Sequence, residues 1–201
     1  MNQADLDRFR ELARTRLSDE RFGHVLGVTR LAGELAAHYG EDVTRAKAAG
    51  LLHDITKELP KAEQLQMMKD SGIIYSQELL ESPNVYHSIT GSLYVREALG
   101  IRSADILDGI RYHTTGRAGM SRFEKLVYIA DATSYEREYP DAPRLRELAF
   151  RDLDACMLEI LVFTIEKLVK RRITIASDTL FCYNEMCKLS RGTSPGPEQK
   201  G

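Results

Sequence analysis

The chain has 201 residues, and its 28 Lys and Arg against 30 Asp and Glu give a formal net charge of -2. With 43% hydrophobic and 29% charged residues, the composition is that of a globular protein and excludes wholesale disorder or a collagen-like fibre. The length favours one domain, and the near-neutral charge argues against a protein that coats nucleic acid, which needs a basic face.

The N-terminal segment is amphipathic and heavily charged, and it lacks the basic and then apolar regions of a secretory signal. Nowhere does the sequence reach the ~18 uncharged apolar residues that a membrane helix needs. Its three cysteines are an odd number with no CxxC pair, which predicts reduced thiols. We therefore expect a cytoplasmic protein without membrane association.

Helical periodicity dominates the first half of the chain, where apolar residues recur at spacings of three and four. Ser18 or Asp19 is the expected N-cap of the first strongly periodic segment, and Gly40 its expected end. Pro60 prevents the second segment from continuing. The helices predicted in this half cover residues 19–39, 43–56, 61–69, 76–80 and 85–99.

The second half is also helical, and no convincing strand pattern occurs in either half. Ser121 with Glu124 three residues later is the pattern of a capping box, and Pro140 and Pro143 mark a loop. The predicted helices cover residues 103–113, 121–133, 144–172 and 178–189. The tail, RGTSPGPEQKG, has no apolar anchor and is expected to be disordered. We predict an all-α fold, with a single helical bundle domain over 1–190 and a disordered tail over 191–201.

Four of the five histidines form an ordered series with two aspartates, embedded among apolar residues. A buried carboxylate is costly unless it is paired or bound to a cation. Imidazole and carboxylate groups from several helices of a bundle commonly hold a divalent metal. The series is His24, His53 with Asp54, His87, His113 and Asp131. It predicts a metal site.

Each of these residues also has a simpler interpretation. A single histidine near an apolar face is more often a hydrogen-bonded core residue, and Asp131 could cap a helix or pair with an arginine. The metal hypothesis therefore depends on the joint series. The fifth histidine, His38 in LAAHYG, lies just before a helix end and is expected at the surface.

The order His, His-Asp, Asp resembles the signature of the HD-domain metal-dependent phosphohydrolases, an all-helical superfamily. Longer segments resemble its bacterial YqeK type, whose members cut diadenosine tetraphosphate symmetrically into two ADP. The resemblance covers about residues 21–146, with a weaker similarity at 179–184 (TLFCYN). Its main segments are RFGHVLGV, AKAAGLLHDITKELP, VYHSITG and GIRYHTTGRAGMSRFEKLVYIAD.

The resemblance implies roles for individual residues. The implied metal ligands are His24, His53, Asp54 and Asp131. The implied metal is iron, as one or two ions, with Mn, Co or Mg as alternatives. The implied catalytic residues are Asp54, His87 and His113. The implied substrate-binding residues are Arg21, His24, Asp54, Lys57, His87, His113, Thr114, Arg117, Asp131, Arg137 and Thr179.

Helix geometry adds support for some of these roles. Lys57 lies three residues after Asp54, and Arg21 three before His24, so each pair is expected on one helix face. Thr114 and Arg117 follow His113 in a loop, where a hydroxyl and a guanidinium suit phosphate oxygens. In the expected mechanism a metal-activated water attacks a phosphorus of the tetraphosphate bridge, and the basic residues neutralise developing charge.

The sequence departs from the family pattern in two places. Ser134-Tyr135 replaces the usual acidic-Pro element, and Ala176-Ser177 replaces a His-Pro pair. Both departures bear on nucleotide affinity or on the choice of dinucleotide. The alternatives left open are another HD-type nucleotide phosphohydrolase, acting on dNMP or dNTP, and a non-catalytic nucleotide-binding regulator. The expected partner is a nucleotide and not a nucleic acid; a homodimer through residues 153–168 is also left open.

Overall fold

The computed structural model describes residues 1–73 and 75–193, and in these ranges it contains eleven α-helices, one short 3-10 helix at Pro83–Val85 and no strand. The prediction of an all-α fold is confirmed. The helices are α1 (Gln3–Arg16), α2 (Asp19–Tyr39), α3 (Val43–Leu52), α4 (Lys61–Asp70), α5 (Gln77–Leu80), α6 (Tyr86–Glu97), α7 (Ala104–Tyr112), α8 (Arg122–Thr133), α9 (Ala142–Arg151), α10 (Leu153–Lys170) and α11 (Ser177–Thr193).

The helix ends follow the predicted caps. The Ser18 side chain accepts a hydrogen bond from the Arg21 N–H, and Gly40 ends α2 at a positive φ of 72°. Ser121 and Glu124 form the reciprocal bonds of a capping box at the start of α8. Local sequence therefore sets where α2 and α8 begin, and both helices carry site residues.

The helix predicted over 43–56 is too long, because α3 ends at Leu52. The chain then turns tightly, with hydrogen bonds from Ile55 N–H to Leu52 O (3.2 Å) and from Lys57 N–H to Asp54 O (2.8 Å). These bonds span three residues rather than four, so the helix does not propagate. Lys57 consequently lies in a turn, and the expectation that it shares a helix with Asp54 is wrong.

The single helix predicted over 144–172 is in fact two helices, α9 and α10, separated at Asp152. Asp152 has an extended backbone (φ -150°, ψ 99°), and its N–H closes α9 on Leu148 O. Its side chain accepts from Ala155 N–H at 2.9 Å and caps α10. A short carboxylate that bonds the nearby backbone ends one helix and begins the next.

Helix α2 packs against α3 and α8, and α7 packs against α3, α6 and α8. Buried apolar residues such as Val28, Leu31 and Leu35 fill this interface. Gly50 allows a close approach of α3 to α2, because a Cβ there would lie 2.7 Å from the Thr29 Cα of α2. Helix α3 is thereby packed tightly against α2.

The remaining elements surround this core. Helix α10 packs on α8, α9 and α11, and a smaller core of Met68, Tyr86 and Ile89 lies under α4 and α6. His38 is exposed, as predicted. None of the described helices has both the length and the apolar character needed to cross a membrane. Helix α11 continues to Thr193, three residues into the predicted tail; the rest of that tail lies outside the described residues.

Candidate metal centre

Five helices bring the predicted histidines and aspartates together. His24 comes from α2, the His53-Asp54 pair follows α3, His87 lies on α6, His113 follows α7 and Asp131 lies on α8. All are buried except Asp131, whose side chain is 21% exposed. The whole series thus converges on one point, although its members span more than a hundred residues of chain.

Backbone carbonyls orient two of the rings. His53 Nδ1–H donates to Gly50 O at 2.7 Å, and His113 Nδ1–H donates to Ile110 O at 2.7 Å. Because a carbonyl only accepts, Nδ1 carries the proton in each ring, and in the neutral form Nε2 keeps a lone pair. Both Nε2 atoms are directed towards Asp54, so both are available as ligands.

Asp54 lies at the centre, with its two oxygens facing different histidines. Its Oδ2 lies 3.5 Å from His53 Nε2 and 3.9 Å from His24 Nε2. Its Oδ1 lies 3.2 Å from His87 Nε2 and 3.6 Å from His113 Nε2. Burial alone would raise the pKa of Asp54, but the surrounding histidines, His53 first, hold this pKa well below its usual value.

The donor set fits a divalent cation. Two groups of three side chains, each with donor atoms within 4.8 Å of one another, share His53. Asp54 Oδ1 is buried and has no hydrogen-bond donor in the described part of the chain, so it is an unsatisfied anionic atom. Imidazole nitrogen with carboxylate oxygen suits iron, manganese or cobalt. The two groups are His24, His53 and Asp131, and His53, Asp54 and His113.

The His24 ring nitrogen that faces away from the cluster contacts a glutamate that the sequence analysis did not predict. Glu136, in the loop between α8 and α9, accepts a hydrogen bond from His24 Nδ1. Burial tends to lower the pKa of His24, but hydrogen bonds to Asp131 and Glu136 raise this pKa to about 9. The local field at His24 therefore favours positive charge. The only sequence signal for Glu136 was the run of acids in TSYEREYP, which has no helical period.

Four of the predicted substrate-binding residues adjoin the cluster. Arg21 Nη1 lies 3.1 Å from Asp54 Oδ2, and Arg137 Nη2 lies 2.8 Å from Asp131 Oδ1. Lys57 Nζ lies 3.0 Å from His87 Nε2, and Thr114 Oγ1 lies 3.3 Å from the same nitrogen. Three cationic groups and a hydroxyl therefore surround the carboxylates.

Two predicted binding residues lie apart. Arg117 is held by Glu124 through a forked pair of hydrogen bonds of 2.7 and 2.8 Å. Thr179 is buried in the first turn of α11, which packs on α10. Within the described residues, neither side chain makes a hydrogen bond or ion pair with the cluster. Arg117 was predicted from the family resemblance and from its place in the loop after His113; that loop directs its side chain to Glu124 in the first turn of α8.

Two cavities flank Arg137 and Tyr139. The inner pocket, of about 300 Å³, extends from His113 and Asp131 to Phe163, whose ring stacks on Tyr139 (centroids 5.8 Å apart, planes at 15°). The outer pocket, of about 610 Å³, is lined by Arg21, His24, Glu136, Arg137 and Tyr139 among others. Neither Tyr139 nor Phe163 was singled out from sequence, where each reads as an ordinary apolar helix or loop residue.

The residues at the two departures from the family pattern make contacts of their own. The Tyr135 ring contacts the guanidinium groups of Arg30 and Arg146, which lie 4.3 and 4.5 Å from its centroid. Ser134 is buried and its hydroxyl donates to Glu136. Ala176 is buried in the smaller core with Met68, Tyr86 and Ile89.

Comparison with known proteins agrees with this geometry. The HD domain family matches residues 21–136. The symmetrical bis(5'-nucleosyl)-tetraphosphatases of Halalkalibacterium halodurans and Bacillus subtilis are each 35% identical, over 88% and 84% of this chain and 94% and 90% of theirs. A crystal structure from Clostridium acetobutylicum, described as a predicted HD superfamily hydrolase involved in NAD metabolism, has a TM-score of 0.88 at 31% identity, covering 91% of this chain and 97% of that one.

Proposed function

The chain belongs to the HD-domain family, and from that membership we propose that it is a symmetrical bis(5'-nucleosyl)-tetraphosphatase, which hydrolyses diadenosine tetraphosphate to two ADP. The observation that carries the proposal is the buried Asp54 carboxylate, encircled by four histidines and with Oδ1 unsatisfied. The names of the two relatives that match nearly the whole chain support the choice of substrate.

The proposed cofactor is a divalent metal, with iron as the first candidate. His24, His53, Asp54 and Asp131 would hold one ion, and His87 and His113 lie where they could complete a second site on Asp54 Oδ1. A divalent cation there would supply positive charge, polarising phosphate oxygens and lowering the pKa of water. Manganese and cobalt share the same ligand preferences, and magnesium is the least suited to imidazole.

The basic residues bind and orient the polyphosphate. Arg21, Lys57 and Arg137 surround the carboxylates, so their charges lie where phosphate oxygens must approach. Charge develops on the phosphates and on the departing ADP, and groups already fixed in place stabilise it without reorganisation. Thr114, beside His87, can donate a hydrogen bond to the same oxygens. As the catalytic residues, Asp54 would orient the attacking water, and His87 and His113 would neutralise charge that develops on the phosphates.

The two pockets suit a substrate with two nucleoside ends. Both pockets share Arg137 and Tyr139, so a tetraphosphate crossing the cluster would direct one nucleoside to each side. Phe163 is 51% exposed and offers an aromatic face to a base in the inner pocket, where Lys167 also lies. Stacking on an aromatic ring accepts any base, so the phosphate count, more than the base, would select the substrate.

Product chromatography tests the proposal. Metal-loaded protein is incubated separately with diadenosine tetraphosphate, with dNMPs and with dNTPs. We expect ADP alone from the dinucleotide and slower turnover of the others. AMP with ATP would contradict symmetrical cleavage, and rapid dNMP dephosphorylation without dinucleotide turnover would identify a different phosphohydrolase. Nucleotide binding without turnover of any substrate would point to a regulator.

Two further points concern the cellular compartment and the oligomeric state. The cytoplasm is the proposed compartment, because Cys156, Cys182 and Cys187 are free thiols, as in a reducing environment. A homodimer stays a prediction. Helix α10 buries Leu153, Met157 and Leu161 in the core of its own chain, and light scattering would report whether its other face pairs with a second copy.

A further inference from the structure

Glu136 contacts His24 on the side away from the cluster. It accepts one hydrogen bond from His24 Nδ1 and another from the Ser134 hydroxyl. The other ring nitrogen, His24 Nε2, lies 2.9 Å from Asp131 Oδ1, within the group that could hold a metal. Since a carboxylate only accepts, Glu136 keeps a proton on Nδ1 and leaves Nε2 directed at the cluster.

Gly27 provides the space in which the Glu136 carboxylate lies. It is three residues after His24 on α2, and so on the same face of that helix. A Cβ added at Gly27 would lie 3.0 Å from Glu136 Cδ and closer still to Oε2. The atoms in the way are the far end of a flexible side chain. A larger residue at 27 would therefore displace the carboxylate without moving the backbone.

We propose that Glu136 is a positioning residue for the metal centre, and that Gly27 makes room for it. Together they would set the orientation of His24 and the affinity of the centre for a divalent cation. The inference rests on the proposed function, in which His24 is a metal ligand. Metal-binding histidines commonly donate their other ring N–H to a carboxylate, which fixes the tautomer and raises ligand basicity.

Cobalt binding to the full-length, chelator-treated chain provides a test that does not depend on activity. Co²⁺ is titrated in competition with a coloured chelator, and circular dichroism confirms that each variant is folded. We expect Glu136→Ala to weaken Co²⁺ affinity by about 10–100-fold, the usual effect of losing such a partner. The Co²⁺ affinity of Glu136→Gln should lie between those of Glu136→Ala and the unchanged chain, because the glutamine amide oxygen can still accept from His24 Nδ1 but carries no charge.

Gly27→Ala should weaken Co²⁺ binding to a similar extent although it leaves Glu136 in the sequence. Gly23→Ala is the matched control, because a Cβ at Gly23, on the same helix, would meet nothing within 4 Å. Its Co²⁺ affinity should equal that of the unchanged chain. In the double variant, Gly27→Ala should add nothing to Glu136→Ala, because the group it displaces is already gone.

Two results would overturn the inference. One is a Glu136→Ala chain that binds Co²⁺ within about twofold of the unchanged chain, well below the loss expected for such a partner. The other is a double variant in which the two effects simply add, since that would make Gly27 and Glu136 independent. If the unchanged chain itself takes up no Co²⁺, the metal-dependent function fails as well, so the two failures are distinguishable.

Discussion

Asp54 lies between two pairs of histidines, one pair beside each of its carboxylate oxygens. Its Oδ2 faces His53 and His24, and its Oδ1 faces His87 and His113. A buried carboxylate without a donor on one oxygen is tolerated only where a cation or a proton compensates it. The arrangement is therefore costly in itself and useful for binding a metal.

Asp54→Asn should abolish most metal binding and turnover. The substitution keeps the size of the side chain but removes its charge and replaces one oxygen with a donor. We expect metal content and kcat/KM for diadenosine tetraphosphate to fall by more than the ~10–100-fold typical of an outer partner. Asp105→Asn, at a half-exposed aspartate paired with Arg45, is the matched control and should change neither quantity. Normal metal content in Asp54→Asn would contradict its assignment as a ligand.

Phe163→Ala should raise KM for diadenosine tetraphosphate while leaving kcat nearly unchanged. The ring lines the inner pocket and stacks on Tyr139, so its loss removes a surface for the base. Base stacking is worth roughly 1–3 kcal/mol, which predicts a rise of about 5-fold or more in KM. Val162→Ala, at the neighbouring exposed residue, is the control and should leave KM unchanged. An equal KM for Phe163→Ala and the unchanged chain would place the base elsewhere.

At the scale of residues, helical context predicted the histidines and aspartates of the cluster, and the family resemblance added Arg137 from the loop after α8. The four histidines and two aspartates stood out because of their joint order among apolar neighbours. Glu136 and Tyr139 did not, because they lie in a loop that has no periodicity to predict which side chains face inward. Arg117, which follows His113 in a loop, bonds Glu124 and not the cluster, so its role in substrate binding stays a prediction.

At the scale of elements, the contact between α2 and α3 sets the distance between His24 and the His53-Asp54 pair. Gly50 lies at a close approach of the two helices, with Thr29 opposite. Any side chain at 50 would press on the backbone of α2, which cannot move aside as a flexible side chain can. The register of these two helices is thus tied to the geometry of the site.

Gly50→Ala should destabilise the protein and weaken metal binding together. Overpacking of this kind costs about 1–3 kcal/mol, even though alanine favours the helix itself. Gly23→Ala serves as the control, since it adds the same methyl group where there is free space and should be neutral or stabilising. Urea unfolding of both variants measures the difference. A Gly50→Ala chain as stable as the unchanged one would show that α2 and α3 can separate freely.

Asp152→Ala should destabilise the protein by about 1 kcal/mol, the usual cost of losing an N-cap. The Asp152 side chain accepts from Ala155 N–H, and an alanine side chain has no atom that can accept this bond. Asp152→Asn keeps an accepting oxygen and should retain most of the stability. Thermal unfolding provides the measurement. An unchanged midpoint in Asp152→Ala would mean that the break between α9 and α10 does not depend on the cap.

Most helices were predictable because their apolar residues recur at helical spacing and their caps have a sequence signature. Helix α1 (Gln3–Arg16) was not among the predicted helices, and two predicted helices continued through a break, at residues 53–56 and at Asp152. These two breaks share a cause. At residues 53–56 backbone hydrogen bonds over three residues replace the helical bonds, and at Asp152 a side-chain hydrogen bond begins a new helix. Neither change alters the spacing of the apolar residues. The apolar periodicity therefore predicted one continuous helix in each place, although the backbone hydrogen bonds end the helix there.

At the scale of the whole molecule, the formal net charge of -2 gives no hint of a polyphosphate substrate. The positive charge is local, with Arg21, Lys57 and Arg137 beside the carboxylates. The convergence of five helices on Asp54 was likewise not deducible from periodicity, which predicts faces but not how distant helices pack. The ordered histidine series and its resemblance to a known family supplied that part of the prediction.

Hydrolysis of diadenosine tetraphosphate in H₂¹⁸O tests the central claim most directly. If the metal centre directs water to a β-phosphorus, the only product is ADP, and half of the ADP molecules carry one ¹⁸O on the terminal phosphate. The metal-free chain and Asp54→Asn should form almost none. Formation of AMP with ATP, or equal turnover after removal of the metal, would contradict the account.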